Sequence, residues 1–257
     1  ILSLIKETNP DIFEKHEQKI IRLMGLFFKK NNKDITDLQQ FIIENYKESI
    51  MELRKGTFTP MQNEILSKID SVKNYSFSAP TSTGKSFVFR YLIENAQNDV
   101  MIVVPSRALI NEFYIKVSEY VKNKETMVLT FVDDINKKHT KKHIFILTPE
   151  RARDVFKFKN NFNFDFFLFD EAQLTNEKDE RGIYYDGIVR RLKEAFPNTG
   201  FIFAHPFIKN PEAQFKKNNF SIIAENDYDS YRYKNTGQLF ISDEKDKFYI
   251  FGTDKDV

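Results

Sequence analysis

The stretch FSAPTSTGKSF, Phe77–Phe87, sets a small residue, four intervening residues and then Gly84-Lys85-Ser86. That is the spacing of a phosphate-binding loop, whose backbone N–H groups and following helix start face the phosphates of a nucleotide. Lys85 is expected to reach the β- and γ-phosphates and the Ser86 hydroxyl to coordinate Mg²⁺, with Pro80, Thr81, Ser82, Thr83 and Gly84 as the cradle. A second apolar run, FDFFLFDEAQ, ends in Asp170 and Glu171. A carboxylate at a strand tip can hold the same Mg²⁺, usually through water, and an adjacent acid can orient and deprotonate an attacking water. Alone, each signal has a plainer reading: a Gly-Lys-Ser turn that happens to open a helix, or acids complementing a helix dipole. Together, and each at the end of a strand, they make Lys85, Asp170 and Glu171 candidate catalytic residues.

Such residues need strands to carry them. Short apolar runs rich in β-branched or aromatic residues occur at YSFSA, VMIVVP, MVLTF, HIFILT, FDFFLFD, GFIFA and SIIAE, most of them separated by helix-length segments. Near-continuous apolar strands alternating with helices predict an α/β fold, a mostly parallel sheet covered on both faces. Sites in such sheets gather at the C-terminal strand ends. Before this region, residues 1–55 read as a helical N-terminal appendage. Asn9 and Pro10 open one helix, with Phe13, Ile20, Leu23, Met24 and Phe27 on its apolar stripe. Ile35, Leu38, Ile42, Ile50 and Leu53 form a second packing stripe, closed by Gly56 as a C-terminal cap. QLFISDEKDKFYIFG alternates by two around a charged turn and predicts a β-hairpin.

Composition narrows the partners. A net charge of +2 means that any nucleic acid must be met by a local face rather than a global field. There is no cysteine, which excludes disulfides and thiolate metal sites, and the four histidines lack metal-ligand spacing. No run is long and apolar enough for a transmembrane helix, and ILSLIKETNPDIF lacks the features of a signal peptide, so no membrane partner is expected and a cytoplasmic location fits. With no initiator Met, the chain reads as a fragment of a longer polypeptide. The basic run Lys137–Lys142 reads as a solvated loop.

APTSTGKS, VVPSRAL, ILTPERA and DEAQ, in that order, resemble the first RecA-like domain of a superfamily-2 DEAD/DEAH-type helicase. The resemblance covers roughly residues 56–224, and Glu180-Arg181-Gly182 looks most like the subgroup of exosome-associated (Ski-type) RNA helicases and archaeal repair helicases. It implies an ATP-dependent helicase or translocase using ATP and Mg²⁺ to move on single-stranded nucleic acid, DNA or RNA. A double-stranded DNA translocase and a nucleotide-gated binding subunit share the same motifs. Within TFTPMQ, the resemblance implies that Gln62 pairs with the adenine edge and that Phe58 packs on the ring, although Thr59-Pro60-Met61-Gln62 is also a helix capping box. Ser106, Arg107, Thr148 and Arg151 are implied to contact successive phosphates of one strand, while Thr148-Pro149 also reads as a plain N-cap.

The pattern is broken in three places. Ala204-His205-Pro206 stands where the family has Ser-Ala-Thr, and Gln173 stands where it has Asp or His. Gln173 and His205 are expected to supply a substitute hydrogen bond coupling the two segments. The second RecA-like domain, with its arginine fingers, is missing, so residues 225–257 read as a linker and hairpin leading to it. The fragment alone is therefore expected to turn over ATP feebly at best.

Overall fold

The computed structural model describes residues 6–13, 38–80, 83–133, 141–173, 180–206, 208–220, 228–232, 238–241 and 248–251. The chain divides into two compact units, Ile1–Glu64 and Ile65–Val257.

In the first unit, residues 10–13 are helical and Phe13 N–H donates to Asn9 C=O at 3.0 Å, as the Asn-Pro start requires. Ile20, Leu23, Met24, Phe27 and Ile35 lie outside the described residues. Helix α1, Leu38–Arg54, follows. Its expected stripe is only partly buried: Ile50 is inside, but Leu38, Ile42 and Leu53 are exposed, while Lys47 and Arg54 are buried. Among its described members the stripe is therefore buried only at Ile50. The cap also differs, because Lys55 rather than Gly56 takes the left-handed conformation, at φ 52°. Gly56 is small for another reason: a Cβ there would sit 3.1 Å from the Phe58 ring. Helix α2, Pro60–Ser71, opens on the capping box. Thr59 N–H donates to Gln62 Oε1 at 2.9 Å and Gln62 N–H to Thr59 Oγ1 at 3.2 Å.

The second unit is built on a seven-stranded sheet. Its strands are β1 (Asn74–Ser78), β2 (Asp99–Val103), β3 (Thr126–Leu129), β4 (Lys142–Leu147), β5 (Phe164–Phe169), β6 (Gly200–His205) and β7 (Tyr228–Arg232). They run in the order β3-β4-β2-β5-β6-β1-β7, and every pairing is parallel. Six of the expected runs became β1–β6, whereas SIIAE lies outside the described residues. The crossovers carry α3 (Lys85–Asn95), α4 (Arg107–Tyr120), the single turn α5 (Pro149–Ala152) with a 3₁₀ stretch over Arg153–Asn161, α6 (Glu180–Ala195) and α7 (Ala213–Lys217). The expected hairpin forms from β8 (Gln238–Ile241) and β9 (Phe248–Phe251), paired antiparallel.

Alternation sorts the strand side chains by face. Phe145, Phe167, Phe169, Phe201 and Phe203 share one cluster with Tyr185, Ile188, Val189 and Leu192 of α6. Phe169 and Phe203 stack at 4.8 Å between ring centroids, and Phe215 meets Phe203 edge-on at 5.3 Å. Ile102, Ile144, Ile146, Leu168 and Ile202, at the alternate positions, are fully buried as well. With both faces covered, the strands need no polar alternation, hence their nearly unbroken apolar runs. The N-terminal strand ends are tied by carboxylates: Asp99 accepts from His143 N–H at 2.7 Å, His143 Nδ1 at 2.9 Å and Asn163 N–H at 3.1 Å. Lys142 is no solvated loop residue, because its ammonium caps the end of α3 on the Ile93 and Ala96 carbonyls, at 2.7 and 2.6 Å. Lys137–Thr140 lie outside the described residues.

Candidate nucleotide and strand-binding site

β1 runs straight into the phosphate loop. Thr83 folds back on the Pro80 carbonyl through its N–H (3.2 Å) and its hydroxyl (2.6 Å). Gly84 then turns the chain at φ 80°, a left-handed value that glycine adopts without a Cβ clash, and α3 starts at Lys85. The N-cap Gly84 has no side chain to cap this helix, and a helix start of this kind can present its first-turn amides to an anion. Pro80 is half-buried and Ser86 is exposed, while Thr81 and Ser82 lie outside the described residues. The Lys85 side chain is buried, and its ammonium donates to the Ala79 carbonyl at 3.2 Å and the His205 carbonyl at 3.0 Å. Burial lowers its pKa, against the opposing pull of Glu171 and Asp170.

The acidic turn lies at the tip of β5. Asp170 N–H continues the sheet ladder onto the Val103 carbonyl at 3.0 Å. Glu171 then adopts a left-handed φ of 50°, unusual for a residue with a Cβ and the kind of backbone strain that collects at functional sites. Burial and the neighbouring Glu171 charge push the Asp170 carboxyl up to about 6. Two residues absent from the sequence reading anchor this turn. The Tyr185 hydroxyl, from α6, donates to the Asp170 carbonyl at 3.2 Å, and Gln214 Nε2, from α7, donates to the Ala172 carbonyl at 3.1 Å. No motif marks either one; their signal is only an aromatic on α6 and an amide on α7.

The expected Gln173–His205 hydrogen bond does not form. Gln173 Nε2 donates to Glu171 Oε2 at 2.6 Å, and His205 Nε2 lies 3.0 Å from Ser76 Oγ. Among the described residues, Gln173 Oε1 and His205 Nδ1 are buried without hydrogen-bond partners. Ser76 gives its one hydroxyl hydrogen to the Pro211 carbonyl at 2.5 Å, which leaves its oxygen free to accept from His205 Nε2, and the His205 ring is also hydrogen-bonded to the Pro211 backbone. His205 is fully buried, and burial together with Lys85 lowers its pKa to about 3.

Toward the other edge of the sheet, Ser106 caps α4 by accepting from Leu109 N–H at 3.3 Å, and Arg107 is exposed. Thr148 is buried at the N-cap of α5 and makes no side-chain cap bond. Arg151 donates through Nη1 to the Thr130 carbonyl at 2.9 Å, bracing the end of β3. These four residues stand at the C-terminal ends of the adjacent strands β2 and β4. In the first unit, Gln62 is buried with its oxygen in the capping box, and Phe58 is half-buried.

A parallel sheet with a phosphate loop after one strand and an acidic turn after another defines a RecA-like nucleotide-binding domain. The DEAD/DEAH box helicase family model matches residues 59–206, more than half of the chain. The chain belongs to the DEAD/DEAH box helicase family. No curated protein matches it. Among solved structures, a hypothetical ATP-dependent RNA helicase from Sulfolobus tokodaii is 17% identical at a TM-score of 0.49, over 74% of this chain and 57% of that one. The DUF1998 helicase MrfA is 15% identical at a TM-score of 0.50, over 74% of this chain and 32% of MrfA. The chain thus spans between about a third and somewhat over half of these structures.

Proposed function

We propose that the chain is the ATP-binding first RecA-like domain of an ATP-dependent helicase or translocase that moves on single-stranded nucleic acid. The observation that carries this reading is the family match over residues 59–206 combined with Lys85, Asp170 and Glu171 at the C-terminal ends of one parallel sheet. The RecA-like part is taken as residues 56–224, and the subgroup as the Ski-type and archaeal repair helicases.

The donor set suits a Mg²⁺–triphosphate. Among the described residues no cluster of three or more His, Asp or Glu could hold a metal ion by itself. That agrees with Mg²⁺, which keeps several waters and takes few protein ligands beside the phosphates. Ser86 and Asp170 would hold it, and it would neutralise charge on the phosphate oxygens. Lys85 commits two of its three N–H groups to carbonyls and keeps the third for the β- and γ-phosphates. Glu171 accepts from Gln173 at Oε2, leaving Oε1 to take the proton of an attacking water. Gln62 and Phe58 would meet the adenine. Arg107 would contact a strand phosphate alongside the helix start at Ser106, with Thr148 beside them. Arg151 would act chiefly by holding the β3 end.

Partners follow from the same reading: a single strand of DNA or RNA, and a second RecA-like domain that closes over the nucleotide. No described helix is long and apolar enough to cross a membrane, and a cytoplasmic setting suits such a motor. The test is Mg²⁺–ATP binding by the chain. Wild type should bind, and Lys85→Ala should weaken binding at least about tenfold, the worth of one charge-assisted hydrogen bond or more. Equal binding by the two proteins would contradict the role of Lys85.

A further inference from the structure

We propose that Ser76 and His205 form a positioning pair for the phosphate-loop lysine: the imidazole, held by the Ser76 hydroxyl, fixes the backbone carbonyl that orients the Lys85 ammonium. This rests on reading Lys85 as the phosphate ligand.

The topology puts His205 where such a pair is needed. β6 lies between β1, which feeds the phosphate loop, and β5, which carries the acidic turn. His205, the last residue of β6, therefore ends between them, in register with Ser78. Its carbonyl accepts twice, from Ala79 N–H at 3.2 Å and from Lys85 Nζ at 3.0 Å. One peptide oxygen thus holds both the start of the loop and its lysine.

The side chain of the same residue is anchored just as firmly. Ser76 and His205 are both fully buried. The hydroxyl donates to the Pro211 carbonyl and lies 3.0 Å from the imidazole Nε2, and the imidazole is itself hydrogen-bonded to the Pro211 backbone, so Ser76, His205 and Pro211 hold one another. A serine in the middle of an apolar strand loses its hydration, and only such bonds offset that cost. Ser78, two residues on and on the same face of β1, repeats the device. Its hydroxyl donates to the Pro206 carbonyl at 2.8 Å and accepts from Ile208 N–H at 2.7 Å. Ala204-His205-Pro206 has no hydroxyl of its own, and β1 supplies two from the neighbouring strand. Lys85 then has two fixed acceptors, Ala79 and His205, so its remaining N–H points in a set direction rather than sampling several.

The test uses the whole chain, with fluorescent analogues of ATP and of AMP in the presence of Mg²⁺. The AMP analogue lacks the phosphates that Lys85 reaches, so it separates lysine positioning from general damage. Ser76→Ala and His205→Phe are expected to weaken the ATP analogue about 3- to 10-fold, the worth of one net hydrogen bond. His205→Gln, whose amide N–H reaches the position of Nε2, should keep affinity within about twofold of wild type. AMP-analogue binding should stay level throughout. If His205→Phe does not fold, Ser76→Ala, which removes one atom, carries the test alone. Ser76→Ala binding the ATP analogue like wild type would overturn the pairing, and so would parallel losses for both analogues. Wild type binding neither analogue would instead overturn the phosphate-loop reading, and the pairing with it.

Discussion

Asp170 and His205 depart from their ordinary ionisation in opposite directions, and each departure is a statement about stability. The Asp170 carboxyl ionises near 3.8 when unfolded and about 6 when folded. Between those values the folded state holds the extra proton, so this group's contribution to stability falls as pH rises through the window. At pH 7.5 the folded protein carries that cost in full. Asp170→Asn should therefore raise the thermal midpoint at pH 7.5, reflecting on the order of 3 kcal/mol of stability. The gain should vanish below about pH 4, where both folded and unfolded carboxyls are protonated. A variant less stable than wild type at pH 7.5 would contradict this. His205 runs the other way, from 6.5 unfolded to about 3 folded. Its contribution is complete above pH 6.5 and lost as the unfolded imidazole takes up its proton on the way down to pH 3. Acid titration of His205→Gln, followed by circular dichroism, should give a lower unfolding midpoint than wild type; an unchanged midpoint would refute the buried, neutral imidazole.

At the scale of elements, the sequence was most readable where a single physical rule decides the outcome. Strands β1–β6 were evident as apolar runs because a sheet covered on both faces allows little else. The capping box at Thr59 and Gln62 was readable because its partners are three residues apart. What stayed hidden depends on long-range placement. Nothing local told α1 to bury Ile50 and leave Leu38 and Ile42 exposed. The two serines in NYSFS carry no local signal, and their purpose appears only when His205, Pro206 and Pro211 lie beside them. Tyr185 and Gln214 were silent for the same reason, and the Gln173–His205 bond gave way to long-range partners, with Gln173 on Glu171 and His205 on Ser76. The sheet itself rests on packed phenylalanines. Phe203, fully buried and stacked on Phe169, should cost about 3–5 kcal/mol when replaced by Ala, read from denaturant midpoints. A loss under about 1 kcal/mol would contradict the packing described for this face.

For the whole molecule, membership of the DEAD/DEAH box helicase family sets the expected division of labour. On the proposed function, this RecA-like sheet would bind the nucleotide and a second would close on it with arginine fingers, which in related phosphoryl transfer are worth roughly 10³–10⁵ in rate. The present chain should on its own hydrolyse ATP feebly, with hydrolysis becoming fast only when the second domain is joined. The most direct measurement is therefore ATP turnover by a polypeptide joining this chain to a second RecA-like domain, without nucleic acid, with single-stranded DNA and with single-stranded RNA. The prediction is strong stimulation by at least one polymer and its loss in Glu171→Gln, with ATP still bound. ATP bound but turnover unmoved by either polymer, or Glu171→Gln as active as wild type, would contradict the account.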